Sequence, residues 1–131
     1  MISILDASAA VEIALGKDEA PVFNRMLINS EIVLAPDLFV SEITNVFWKY
    51  RKFTGISDSQ CIEGIEFCIN LIDDYVETKE LFREVFSQSV SVNHSVYDVF
   101  YLVIARRHSA RLLTCDRKLK NLAERLNIPT N

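Results

Sequence analysis

Two hydrophobic periods alternate along this chain of 131 residues. Short continuous apolar runs, as buried strands give, are separated by longer stretches whose apolar residues return at roughly every third or fourth position, as amphipathic helices require. Ile2 to Leu5 forms the first such run, and "ASAAVEIALG" reads as a helix ended by Gly16. A second helix over "EAPVFNRMLINS" has Pro21 in its first turn and Val22, Phe23, Met26 and Leu27 on one face. "EIVLAP" predicts another buried strand. After Pro36 a long helix extends to about Thr54, with Phe39, Ile43, Val46, Phe47 and Tyr50 at core spacing and Gly55 as its stop. Ser57 caps the next helix, which carries Ile62, Ile65, Ile69 and Ile72.

The second half repeats the alternation with weaker signals. "DYVET" is a short strand, and "KELFREVFSQ" a helix through Leu81, Phe82, Val85 and Phe86, with "SVSV" as its tail and Asn93 closing it. "SVYDVFYLVIARRHS" is apolar on nearly all sides, which predicts a helix buried in the middle of the fold. "RLLTC" is the last clear strand, followed by the helix "RKLKNLAERL" and an edge strand at "NIPT". Strands that alternate with helices predict an α/β three-layer sandwich with a mainly parallel central sheet and helices on both faces. Residues 1–131 read as a single domain, without repeats or linkers.

Composition narrows the class. Half of the residues are hydrophobic, enough for a real core, yet no uninterrupted apolar run is long enough to span a membrane and no signal peptide opens the chain. A cytoplasmic location is expected. Cys61 and Cys68 stand seven residues apart on one predicted helix, roughly 10 Å along its axis and too far to bridge. Reduced thiols fit best, and with no CxxC and no ligand partner for His94 or His108, a zinc site is not expected. The net charge of −4 speaks against nucleic-acid binding by bulk electrostatics. Its distribution is uneven: seven acids between Asp58 and Glu80 face only Lys79, whereas seven basic residues between Arg106 and Arg125 face only Asp116 and Glu124.

Four carboxylates stand among apolar residues in or beside the first turns of helices: Asp6, Glu42, Asp98 and Asp116. Each has a local explanation. Asp6 and Asp116 suit N-caps, Ser95 with Asp98 resembles a capping box, and Glu42 can be solvated near a helix start. Capping does not require separate segments to converge, however. Asp6 and Asp116 end parallel strands, Glu42 lies shortly after "EIVLAP", and ligands of open α/β sheets bind beyond the carboxyl ends of the strands. Carboxylates gathered there repel one another and call for a cation. Oxygen donors without His or Cys favour a hard divalent ion, Mg²⁺ or Mn²⁺. Without these four, the remaining acids equal the 14 lysines and arginines.

In order and spacing, "ILDASAAVEI", "LAPDLFVSEITNVFWK", "SVYDVFYLVIARRHSARLLTCDRKL" and "NLAERLNI" resemble the PIN domain, and most closely the VapC-like ribonuclease toxins of toxin/antitoxin pairs. The resemblance covers essentially the whole chain. It implies a metal-dependent endoribonuclease whose catalytic, metal-binding acids are Asp6, Glu42, Asp98 and Asp116, holding one or two Mg²⁺ or Mn²⁺ ions and leaving 5′-phosphate and 3′-hydroxyl ends. Ser8, two residues after the first Asp, and Thr114 of the T-x-D motif are the supporting hydroxyls. Arg106, Arg107, Arg111, Arg117 and Lys118 are candidates for guiding RNA, as are Lys49, Arg51 and Lys52, while Tyr97 and Tyr101 read as core. Phe47, Trp48, Tyr50 and Phe53 give one helix more aromatic surface than a single core face needs, so Phe47 and Trp48 are candidates for meeting an antitoxin or a second copy in a homodimer.

Other classes fit less well. A haloacid dehalogenase-type phosphoryl-transfer enzyme carries a second Asp where Ser8 stands, and a receiver-like domain pairs acids at strand one, where Leu5 precedes Asp6. The alternatives within the resemblance are an RNA-processing nuclease without an antitoxin and a PIN-fold binding module with little catalysis.

Overall fold

A computed structural model describes residues 1–131. Its central strand, β1 (Ser3–Leu5), leads through α1 (Ala7–Ala14) and α2 (Ala20–Ile28) to β2 (Val33–Pro36). From there α3 (Leu38–Thr54) and α4 (Asp58–Asn70) lead to β3 (Asp74–Val76), and a single 3-10 turn (Thr78–Glu80), α5 (Phe82–Val92) and α6 (Val96–Arg107) lead to β4 (Arg111–Leu113). The last helix is α7 (Arg117–Arg125). The sheet order is β3-β2-β1-β4, every pair parallel. "NIPT" contributes one parallel bridge, Leu112 to Thr130, in place of the expected edge strand.

Successive strand residues point to opposite faces, and this sorts the core into two layers. Ile4, Leu34 and Leu112 pack with α5, α6 and α7, whereas Leu5, Val33, Ala35 and Leu113 pack with α1, α3 and α4. The expected three-layer α/β sandwich results. As its all-round apolar pattern predicts, α6 lies across β1, β2 and β4 with Val99 and Tyr101 through Ala105 buried. Asn93, with φ of 51°, closes α5 in the left-handed region, and Gly55, with φ of 73°, closes α3. No helix is long and apolar enough to cross a membrane.

Several faces differ from their sequence reading. On α5 the core side is Val85 and Ser89, next to Leu81, while Phe82 and Phe86 are exposed. The apolar stripe is wider than the face the sheet can cover. On α4 the buried residues are Cys61 and Cys68, and Ile62 faces solvent. Phe47 is core, not partner surface: it is 1% exposed, and a Cβ at Gly64 would come within 2.4 Å of its ring. That glycine lets α3 and α4 approach. Trp48, the next residue and about 100° further round α3, is 56% exposed. Tyr97 is also exposed rather than core.

Candidate functional site

The sheet order determines where a site can form. From β1 the chain moves outward to β2 and β3, then crosses back to β4 on the other side of β1. Connections that diverge in this way leave a crevice at the carboxyl ends of the two strands. Asp6 follows β1 directly, and its N–H donates to the Leu113 carbonyl at 3.1 Å, carrying the β1–β4 pairing one residue further. Thr114 follows β4. Asp116 does not end that strand directly but stands three residues beyond it.

Asp6 is an N-cap, as its position suggests, accepting the Ala9 N–H at 2.9 Å. It does more than cap. The Ser8 hydroxyl donates to its Oδ1 at 2.7 Å, and the Thr114 hydroxyl donates to Oδ2. Ser8 Oγ in turn accepts the Cys115 N–H, and Thr114 Oγ1 the Asp116 N–H, each at 2.9 Å. Both supporting hydroxyls therefore knit β1 to the segment after β4. Burial pushes the Asp6 carboxyl from an ordinary 3.8 up to about 6; bonds from Thr114, Ala9 and Ser8 oppose the rise and the nearby Asp98 adds to it.

Glu42 reaches the same place from the second turn of α3. Its Oε1 accepts the Tyr101 hydroxyl at 2.6 Å. Burial pushes the Glu42 carboxyl up, the Tyr101 bond opposes this, and Asp6 and Asp98 add to it. Burial and the adjacent Glu42 charge also raise the tyrosine strongly, so the proton stays on Tyr101 and the bond keeps its direction. Tyr101 is core, as read, but its hydroxyl belongs to the site, which spacing alone does not reveal.

Asp98 lies in the first turn of α6, where a capping box with Ser95 is the local alternative to a place in the site. No side chain caps that helix. The Asp98 carboxylate instead meets His94, Nε2 to Oδ2 at 2.8 Å. His94 was missed because only metal-ligand spacings were considered for histidine; its position four residues before Asp98 was the available signal. Asp116 caps α7, accepting from the Lys118 and Leu119 N–H groups at 2.9 and 3.1 Å. It is the most exposed of the four; its backbone N–H, not its carboxylate, bonds Thr114, so the structure brings Asp6, Glu42 and Asp98 together and leaves the Asp116 carboxylate on the α7 N-terminus.

Asp6, Glu42 and Asp98 thus lie close enough to feel one another's charge. No lysine or arginine forms an ion pair with any of the four acids; the one partner of opposite potential charge is His94. An oxygen-only donor set with uncompensated charge suits a hard divalent cation and not a thiophilic one. Nearby Cys115 has its sulfur within 4.8 Å of Glu12 and Glu19 carboxylates, but burial and those acids push its thiol to about 12, so it stays a neutral thiol.

The basic candidates divide by location. Arg106 and Arg107 end α6, about 13 Å along its axis from Asp98, and both bind Glu84, at 3.1 and 2.7 Å. Arg111 ties the start of β4 to Ser3 and the Met26 carbonyl, at 3.0 and 2.7 Å. These three brace the fold away from the acids. Arg51 pairs with Asp58 at 2.6 Å, and the Lys52 ammonium lies over the Trp48 ring, at the far end of α3 from Glu42, with Lys49 in the same stretch. Arg117 and Lys118 open α7 beside Asp116 with exposed side chains. There a polar cavity of about 300 Å³ is lined by Glu19, Thr114, Cys115, Arg117, Lys120, Asn121 and Asn131.

Known proteins resemble this chain in sequence and fold. Ribonuclease VapC3 of Pyrobaculum aerophilum is 22% identical over 121 residues, spanning 88% of this chain and 90% of that protein. Ribonuclease VapC1 of Mycobacterium tuberculosis is 26% identical over 117 residues, spanning 88% and 86%. The crystal structure of PAE2754 from Pyrobaculum aerophilum matches with a TM-score of 0.71 at 23% identity, covering 91% of this chain and 85% of that one, a likeness of fold. The PIN domain family model matches residues 3–125, from the first residue of β1 to the last of α7. With Asp6 at the beginning of that span and Asp116 near its end, the chain belongs to the PIN domain family.

Proposed function

We propose that this chain is a Mg²⁺- or Mn²⁺-dependent endoribonuclease and the toxin of a VapBC-type toxin/antitoxin pair. One observation carries the reading: Asp6, Glu42 and Asp98 repel one another at the crevice between β1 and β4, and no lysine or arginine compensates them. Asp6, Glu42, Asp98 and Asp116 would hold the ion. Such a cation eases ionisation of water and offsets charge developing on a phosphodiester. The chain's own contribution is preorganisation. Ser8 and Thr114 fix the Asp6 carboxylate, Tyr101 fixes Glu42, and the α7 cap orients Asp116. No serine hydroxyl or cysteine thiol is hydrogen-bonded to a histidine ring, and the Ser8 hydroxyl is taken up by Asp6 and the Cys115 N–H, so attack by water is the chemistry we favour for this site.

RNA is the substrate we infer, because the relatives named above are ribonucleases. Its backbone would run past Arg117 and Lys118 and the polar cavity beside Thr114. The antitoxin partner is inferred on the same grounds, with exposed Trp48 and Phe53 as its contact. A second copy of the chain would cover the exposed apolar face of α5. The test is cleavage of a cellular RNA mixture by the purified protein with Mn²⁺, with EDTA, and with Asp98→Asn. Metal-dependent cleavage lost in the variant supports the reading; cleavage that survives both EDTA and the substitution refutes it, and no cleavage under any condition leaves a binding module.

A further inference from the structure

We propose that His94 is a positioning residue that holds the Asp98 carboxylate in the acid cluster. In the first turn of a helix the unsatisfied N–H groups ordinarily draw a nearby carboxylate into capping. That does not happen at α6: Ser95 makes no cap bond, and Asp98 is bound by His94 at 2.8 Å. The imidazole is held where it can do this. Its residue follows Asn93, whose left-handed backbone turns the chain at the end of α5, and the His94 N–H is anchored on the Ser89 carbonyl at 3.3 Å. The His94 and Asp98 side chains are 21% and 32% exposed, so the contact is shielded better than a surface pair.

The cluster shows the same device three times. Ser8 and Thr114 donate to Asp6, Tyr101 donates to Glu42, and the imidazole N–H donates to Asp98, since an ionised carboxylate can only accept. A neutral imidazole suffices. The donor occupies Oδ2 and leaves Oδ1 for a ligand. Donors behind metal-binding carboxylates typically change metal affinity roughly 10- to 100-fold.

This inference rests on the metal-dependent reading above, and its test keeps the two separable. Mn²⁺ binding is measured from the spin-resonance signal of free Mn²⁺ for the wild-type protein, His94→Gln and His94→Met, with melting curves recorded without metal. Gln and Met match in length, but only Gln has an N–H to donate. The expected result is wild-type-like binding by His94→Gln, at least about 10-fold weaker binding by His94→Met, and closely similar metal-free melting of the two variants. Equal Mn²⁺ affinity of His94→Met and wild type would overturn the proposal, as would equal weakening of both variants. If His94→Met does not fold, His94→Gln against His94→Ala makes the same comparison. Failure of the wild-type protein to take up Mn²⁺ would instead remove the metal reading and this inference with it.

Discussion

The Tyr101 hydroxyl donates to Glu42 at 2.6 Å, linking the buried centre of α6 to α3 across 59 residues of sequence. Tyr101→Phe keeps the ring and removes the donor. A hydrogen bond to a charged group is worth about 1.5–3 kcal/mol, so urea denaturation at pH 7 should show a loss of about that size. Because burial and the neighbouring acids already push Glu42 up, the loss should be smaller at acid pH than at pH 7, as Glu42 takes a proton and needs the donor less. Equal destabilisation at both pH values would mean that the lost hydroxyl acts through packing.

Asp6 gives the metal-free protein an inverted acid response. Its folded value is about 6 against an ordinary 3.8, so between those values the folded chain holds a proton that the unfolded chain has released. Stability from this group is therefore full below about pH 4 and is lost as pH rises through 6, by at most roughly 3 kcal/mol. Glu42 acts in the same direction. In EDTA the protein should melt higher at pH 5 than at pH 7, and Asp6→Asn should flatten most of that difference. Saturating Mn²⁺ should favour the higher pH, because the ion competes with the same protons. A metal-free melting temperature that rises from pH 5 to 7 in the wild-type protein would contradict this.

Much of this was legible from periodicity, and the misses share a cause. Strand runs and helix stripes are written into consecutive residues, so the layers, the all-round apolar α6 and the closures at Gly55 and Asn93 could be read directly. Which side of a wide stripe is covered depends on distant partners. Phe86 looked like core and is exposed, whereas Phe47, which fits both the core spacing and a partner surface, fills the space that Gly64 vacates. The site behaves alike. Its acids stand out because charges interrupt apolar sequence, and His94 is signalled only by its place four residues before Asp98, whereas the role of the Tyr101 hydroxyl depends on α6 being placed against α3. Arg106, Arg107 and Arg111 are basic for structural reasons that lie in other segments: Glu84, Ser3 and Met26.

Asp116 separates capping from catalysis. It caps α7 through Lys118 and Leu119, and Asn caps about as well as Asp whereas Ala costs roughly 1 kcal/mol. Asp116→Asn should therefore leave metal-free stability within about 0.5 kcal/mol of wild type, weaken the rise in melting temperature caused by Mn²⁺, and nearly abolish RNA cleavage. Asp98→Asn should lose cleavage likewise, although 18 residues and the β4 strand separate the two. Melting curves with and without Mn²⁺, beside an RNA cleavage assay, give the answer. Wild-type cleavage by Asp116→Asn would reduce this residue to a cap.

Two exposed apolar surfaces bear on the proposed partners. On α5, Phe82, Phe86 and Val90 recur at every fourth position and are 57%, 65% and 68% exposed, and Phe82, Phe86, Val96 and Phe100 line an apolar cavity of about 520 Å³. At the end of α3, Trp48 and Phe53 are 56% and 75% exposed. Large apolar patches of this kind mark interaction sites on soluble proteins. On the proposal above, the α5 surface, the longer and more continuous of the two, would serve self-association, and the α3 tip would meet the antitoxin. Phe86→Asp should shift the protein toward monomer in sedimentation analysis, because it places a charge within the stripe, while metal-dependent cleavage by the folded monomer persists. Trp48→Ala should leave the oligomeric state unchanged and weaken antitoxin binding by about 2 kcal/mol or more if the indole is an anchor. The reverse pattern, with dissociation caused by Trp48→Ala and not by Phe86→Asp, would exchange the two assignments; no effect of either would show that neither face is an interface.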